Sequence, residues 1–190
     1  MPGDSPVPGW VDHDPMVAQE IVTFLEMTSP DQLRPPRPPP LSLEMERLDR
    51  GSVGLVRTTY ERIGAPYNWS GRSAWSDETW EELLSRPGVE SWLARVDDDV
   101  AGMVELDAQP DGAVEIVVFG LVPQFVGKGL GAHFLLMGTR LAWEAKAPGG
   151  GPARRVWLHT SSRDHPHARS NYERRGFRTF RTEQGARSGL

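Results

Sequence analysis

The chain contains no cysteine, so a disulfide framework, a thiol nucleophile and thiolate metal ligation are excluded. Chemistry must come from oxygen and nitrogen groups. There is no run of 18 apolar residues, and no basic region followed by an apolar stretch opens the chain. Both absences argue against a membrane span or a secretory leader and point to a cytoplasmic protein. No internal repeat is visible. What remains is 190 residues, 38% hydrophobic and 25% charged, too apolar for disorder and long enough to bury one core.

Charge is unevenly placed. Residues 151–190 hold nine arginines against three acidic side chains, a local +6, so the first 150 residues carry −11 of the formal −5. Overall acidity argues against general nucleic-acid binding, while a basic C-terminal segment suits the phosphates of a small ligand. The acidic remainder favours a cationic partner such as an amine.

The most informative stretch is Gln124-Phe-Val-Gly-Lys-Gly-Leu-Gly131, set between the apolar run Val114 to Val122 and the apolar-periodic stretch Leu130 to Trp143. A glycine-rich turn leading from a strand into a helix presents unpaired N–H groups and the positive end of the helix dipole, which together hold phosphate. Three phosphate loops compete for it. A Walker loop needs Gly-Lys-Ser/Thr, but Lys128 lies between two glycines with no hydroxyl following. A dinucleotide fingerprint needs Gly-x-Gly-x-x-Gly and an acidic residue about 20 positions on; here the glycines at 127, 129 and 131 alternate and the later segment is Ala-Pro-Gly-Gly-Gly-Pro. Apart from a helix start with incidental glycines, there remains Gln-x-x-Gly-x-Gly, which resembles the pyrophosphate loop of the GNAT superfamily of acyl-CoA N-acyltransferases.

A second segment, Asn171-Tyr-Glu-Arg-Arg-Gly-Phe177, resembles the other signature of that superfamily, a helix ending in Tyr-Glu-x-x-Gly-Phe before a last strand. Gly176 suits a left-handed helix cap, and Arg174 and Arg175 suit the C-terminal dipole. The resemblance covers residues 90 to 183 well and the first 90 in general layout. It implies acetyl-CoA as co-substrate and no metal. The implied cofactor contacts are Leu121, Val122, Gln124, Val126, Gly127, Lys128, Gly129, Leu130, Gly131 and Ala132, with His165 and Asn171 along the pantetheine arm. Two positions depart from the family pattern. His165 stands where an asparagine is common, and Asn171 where an apolar residue is usual, its side chain directed either to the core or to the cofactor.

The elements expected along the chain begin with residues 1–15, rich in Pro, Gly and Asp and expected to be poorly ordered, and a short strand at Ile21 to Met27. Six prolines between Pro30 and Pro40 make an extended connector. Leu41 to Leu48 alternates as a strand, Ser52 to Ile63 and Asp77 to Leu84 read as helices, the second opened by a Ser76 capping box. Trp92 to Val96, Val100 to Leu106 and Val114 to Leu121 read as strands, then come the Leu130 to Trp143 helix, the Arg155 to Thr160 strand, a short helix and a last strand. This order predicts an α/β (α+β) single domain: a mixed, mostly antiparallel sheet with helices on both faces. The domain is expected over 41–190, with residues 1–40 as an N-terminal arm. The resemblance implies that Val114 to Val122 and Arg155 to Thr160 are a parallel pair splayed to admit the pantetheine arm.

An N-acetyltransferase needs a base for the attacking amine. Glu115, in an otherwise apolar strand and at the position of the general-base glutamate of histone-acetylating members, is the first candidate, with solvent exposure or an arginine partner as its alternative. Glu105, on the preceding strand, is the second, acting through a water. Tyr172 resembles the family's general acid, supplying a proton or hydrogen bond to the departing thiolate. Tyr67, Asn68, Trp69, Arg72 and Trp75 make an aromatic and polar cluster that forms either an acceptor wall or ordinary packing. His159 is an alternative base or orienter, or a packed histidine. His165, His167 and Asp164 are of metal-binding types, but their spacing and the lack of a fourth ligand argue against zinc. The expected acceptor is a small-molecule primary amine, with protein amines or a non-catalytic acyl-CoA sensor as rivals. The expected assembly is monomer or homodimer.

Overall fold

The computed structural model describes residues 20–185. The expectation for residues 1–15 lies outside the described residues. Strand β1 (Glu20–Met27) opens the fold and is followed by a single 3-10 turn at Pro30–Gln32 and an extended connector. Then come β2 (Glu44–Leu48), helices α1 (Val53–Gly64) and α2 (Asp77–Ser85), and the antiparallel strands β3 (Val89–Val96), β4 (Asp99–Ala108) and β5 (Ala113–Leu121). Helix α3 (Gly131–Glu144), β6 (Arg155–Ser161), α4 (Ala168–Arg175) and β7 (Arg178–Gly185) complete it. Ser76 caps α2 by accepting from the Thr79 N–H, but position N3 is threonine rather than Glu or Gln, so the expected capping box is a simple hydroxyl cap.

The sheet has seven strands in the order β2-β3-β4-β5-β6-β1-β7, and all its pairs are antiparallel except β5 with β6. Helices cover both faces, as Val104 and Glu105 demonstrate. Neighbours on a strand point to opposite sides; Val104 lies 3.3 Å from the Cβ position of Gly138 on α3, while Glu105 is gripped by Arg72 in the segment after α1. Phe119 and Phe134 stack at 4.7 Å on the α3 side, and Leu93, Met103, Leu106 and Trp80 are fully buried.

The expected N-terminal arm is not separate from the sheet. β1 lies between β6 and β7, antiparallel to both, with Leu25 and Met27 at 0% exposure. A strand paired on both edges and buried on one face belongs to the core. The chain leaving β1 is tied down at once: the Arg34 N–H donates to the Arg175 carbonyl at 2.9 Å. Gly176, at φ 108°, caps α4 where a Cβ would stand 1.9 Å from the Gln32 carbonyl oxygen. Only glycine meets both demands.

Candidate active site

Two irregularities in β5 build the site. The first is a bulge: Glu105 pairs with Val118 and Leu106 with Ile116, so Val117 is passed over. The extra residue moves the side chains before it to the other face. Glu115 therefore shares the face of Glu105, the side on which Arg72 lies. The second is divergence from β6. Parallel pairing runs only from Ala113 opposite Arg155 to Glu115 opposite Trp157, whereas β5 stays with β4 to Leu121 and β6 stays with β1 to Ser161. The backbone edges beyond Glu115 face a gap, as expected for a splayed pair.

The glycine loop follows β5. After a 3-10 turn at Pro123–Phe125, Gly127 (φ 81°) and Gly129 (φ 77°) adopt left-handed conformations, and no side chain caps the N-terminus of α3. A cavity of about 1020 Å³ runs from this loop through the gap to the α1–α2 side of the sheet. Its loop end is lined by Leu121, Val126, Gly127, Gly129, Gly131 and Ala132. Val122 and Leu130 are instead fully buried beneath the loop. Gln124 is exposed and accepts from Arg62 Nη2 at 3.0 Å, and Lys128 is exposed with its Nζ 4.8 Å from the centre of the Phe125 ring. These four shape and anchor the loop; their side chains do not line the cavity. The direction of Asn171 is settled: it faces the cavity, and its Nδ2 donates to the Gly131 carbonyl at 3.2 Å. His165 lines the cavity beside Tyr67, their rings 6.4 Å apart.

The loop, the unpaired strand edge and the volume fit a long phosphorylated co-substrate. Anion-binding amides sit at one end, and a slot for an extended amide-containing arm leads away from them.

Tyr172 lines the cavity between the rings of Phe119 (6.1 Å) and Phe177 (6.2 Å) and is 7% exposed. Burial pushes its phenol well above the ordinary tyrosine range, and the nearby charge of Asp164 adds to the effect. The group stays a neutral donor at any physiological pH. Across the gap, Glu115 and His159 stand together: His159 Nδ1 is 3.4 Å from Glu115 Oε1, close enough to pair when charged but outside hydrogen-bond geometry. Both side chains are about one-seventh exposed and both line the cavity.

Glu105 is placed differently from the expectation of a water-assisted base. It is 1% exposed, does not line the cavity, and gives both oxygens to Arg72, at 2.6 and 2.8 Å. Burial opposes the charge on Arg72, but the Glu105 hydrogen bonds and charge, helped by Tyr60 and Glu115, outweigh it and raise the guanidinium pKa. Arg72 is packed among the rings of Trp75 (4.9 Å), Tyr60 (5.3 Å) and Trp80 (5.4 Å). Tyr67, Trp69 and Trp75 line the acceptor end with it, whereas Asn68, at φ 54°, is exposed on the turn outside. Replacing Arg72 by methionine strands a buried carboxylate, and a loss of about 3–5 kcal/mol in urea unfolding is expected. Adding Glu105→Gln to that variant should recover part of the loss; no recovery would show that the ion pair is not the cause.

Residues that sequence reasoning missed include Glu20, Val22 and Phe24, all on the inserted β1 and all lining the cavity. No local pattern marks a strand's neighbours. Asp164, considered only as a metal-type residue, instead accepts from Trp69 Nε1 (3.2 Å), Thr160 Oγ1 (2.8 Å) and the Ser161 N–H (2.8 Å), joining the aromatic wall to the β6–α4 turn.

Comparison with known proteins bears on the same residues. The model of the family described as acetyltransferase (GNAT) matches residues 56–177. No curated protein gives a significant match. Among solved structures, a conserved protein of unknown function from Staphylococcus epidermidis aligns at TM-score 0.64 and 16% identity, over 87% of this chain and 60% of its own. A GCN5-related N-acetyltransferase from Kribbella flavida aligns at TM-score 0.58 and 20% identity, over 87% of this chain and 56% of its own. An aminoglycoside acetyltransferase from an uncultured soil metagenomic sample aligns at TM-score 0.55 and 15% identity, over 69% of this chain and 85% of its own. At these identities the likeness is one of fold, and the chain spans about half to three fifths of the length of the first three structures it matches.

Proposed function

The chain belongs to the acetyltransferase (GNAT) family, and from that premise we propose that it moves the acetyl group of acetyl-CoA directly to a primary amine of a small molecule, both substrates sharing one cavity. The observation that carries this reading is the continuity of that cavity from the glycine loop to the Glu115–His159 pair.

Bound acetyl-CoA supplies the thioester carbonyl as electrophile. The amides of Gly127 to Ala132 and the uncapped start of α3 hold the diphosphate, and the free edges of β5 and β6 orient the arm. Glu115 takes the proton of the ammonium, leaving the nitrogen lone pair free to attack. As the new C–N bond forms and the C–S bond breaks, the Tyr172 hydroxyl protonates the departing sulfur, and the proton shed by the now-cationic nitrogen returns through solvent to the Tyr172 oxygen, leaving amide and free thiol. Glu105 serves as the counter-ion that positions Arg72 rather than as a base. The wall of Tyr67, Trp69 and Trp75 favours a compact acceptor over a peptide lying across an open groove.

The test pairs calorimetric titration of acetyl-CoA with thiol release over a panel of small amines and lysine peptides. Binding at micromolar affinity and turnover with small amines are expected. Binding with no turnover on any amine would mark a sensor, and turnover on peptides alone would mark a protein acetyltransferase; either overturns the reading.

A further inference from the structure

The acceptor side of the cavity holds a second carboxylate whose partner is incomplete. Glu20, the first residue of β1, is 7% exposed and lines the cavity. Its Oε1 accepts from Ser161 Oγ, but among the described residues its Oε2 is buried without a hydrogen bond, and the nearest cation there, Arg163 Nε, is 3.9 Å away on a half-exposed side chain. A buried carboxylate oxygen with no hydrogen bond and only a distant, half-exposed cation is costly unless something cationic completes the group.

The position of Glu20 relative to Glu115 gives the missing group a shape. Glu115 meets His159, Glu20 meets Ser161, and these two β6 residues lie on one face, two apart, roughly 7 Å along the strand. Between them the neighbouring strand presents Val22 and Phe24 to the cavity, and Phe24 sits 5.5 Å from the His159 ring. Acid, apolar floor and acid follow one another along the cleft, with the Arg181 guanidinium 3.9 Å from the centre of the Phe24 ring at its border. Of the other charged groups lining it, Asp164 is occupied by three donors, Glu183 pairs with Arg181 at 3.3 Å, and Arg72 is neutralised by Glu105. Arg174 also lines the cavity, on α4, the helix that carries Tyr172 and Asn171.

Resting on the function proposed above, we infer that Glu20 is a second ammonium anchor and that the acceptor is a linear diamine or longer polyamine. The distal ammonium pairs with the Glu20 carboxylate, the methylenes lie on Val22 and beside Phe24, and the reacting nitrogen reaches Glu115. The span suits two nitrogens separated by about three to five carbons.

Calorimetry on the CoA-loaded protein with 1,4-diaminobutane and with 1-aminobutane tests this without requiring turnover. The diamine is expected to bind at least tenfold more tightly. Glu20→Gln keeps the acceptor for Ser161 Oγ and removes the charge, so the ratio of the two affinities should fall toward one; Arg163→Gln removes the competing cation, so it should rise. Equal affinities in the wild type, or a preference that survives Glu20→Gln with the melting temperature unchanged, overturn the inference. Thiol release from acetyl-CoA is read alongside: preferential diamine binding with no acetylation of any amine sinks the enzymatic reading and leaves the anchor standing.

Discussion

Tyr172→Phe is expected to slow acetyl transfer about a hundredfold or more in single-turnover measurements, with little change in melting temperature or in acetyl-CoA affinity. The phenol contributes one hydroxyl to the cavity, while its ring is shared between Phe119 and Phe177. Phenylalanine keeps the ring contacts and removes only the donor. Loss of a positioned general acid costs roughly two to four orders of magnitude in rate, whereas loss of a packing atom would appear in stability instead. An unchanged chemical step, with slower product release as the only effect, would remove Tyr172 from the mechanism.

The same substitution has a pH signature. Burial raises the Tyr172 pKa, so the folded state resists ionisation and the unfolded chain loses the proton first. The stabilising contribution of this group is complete below the ordinary tyrosine value and declines as pH climbs above it. Wild type should therefore lose stability relative to Tyr172→Phe only in the alkaline range, as followed by urea unfolding between neutral pH and pH ~11. An alkaline limb in the rate profile near pH 8 or 9 would belong to another group.

What was legible in the sequence is what is local. The glycine loop, the helix it starts and the Gly176 cap are each written within a few consecutive residues, and backbone geometry alone accounts for them. The splay of β5 and β6 came from family resemblance, and the interrupted pairing after Glu115 bears it out. Three features were not legible because they depend on partners far away in the chain. β1 reads as a short strand whether it lies at an edge or, as found, between β6 and β7. Glu105 looks like a buried strand acid until Arg72, 33 residues earlier, takes both its oxygens. The bulge at Val117 falls in an apolar run, Ile116-Val-Val118, with no glycine to mark it, yet it decides which face carries Glu115.

Glu115→Gln is expected to lower kcat by about two to three orders of magnitude with acetyl-CoA binding preserved, since the side chain stands away from the glycine loop and its amide replacement is nearly the same size. His159 gives this prediction a sharper form. The two groups are 3.4 Å apart and equally sheltered, so three divisions of labour are physically distinct. If Glu115 alone takes the proton, His159→Asn costs little and the double variant resembles Glu115→Gln. If His159 takes it and Glu115 only orients the ring, the histidine substitution is the more damaging. If the proton passes between them, each single change costs nearly as much as both together, the non-additivity expected of groups that act as a unit. The bulge turns Glu115 onto the acceptor face, and His159 shares that face beside Phe24 and Trp157 at ring distances of 5.5 and 6.5 Å, so the comparison of the variants is what separates the three. A His159→Asn variant slower than Glu115→Gln would reverse the assignment of base and orienter.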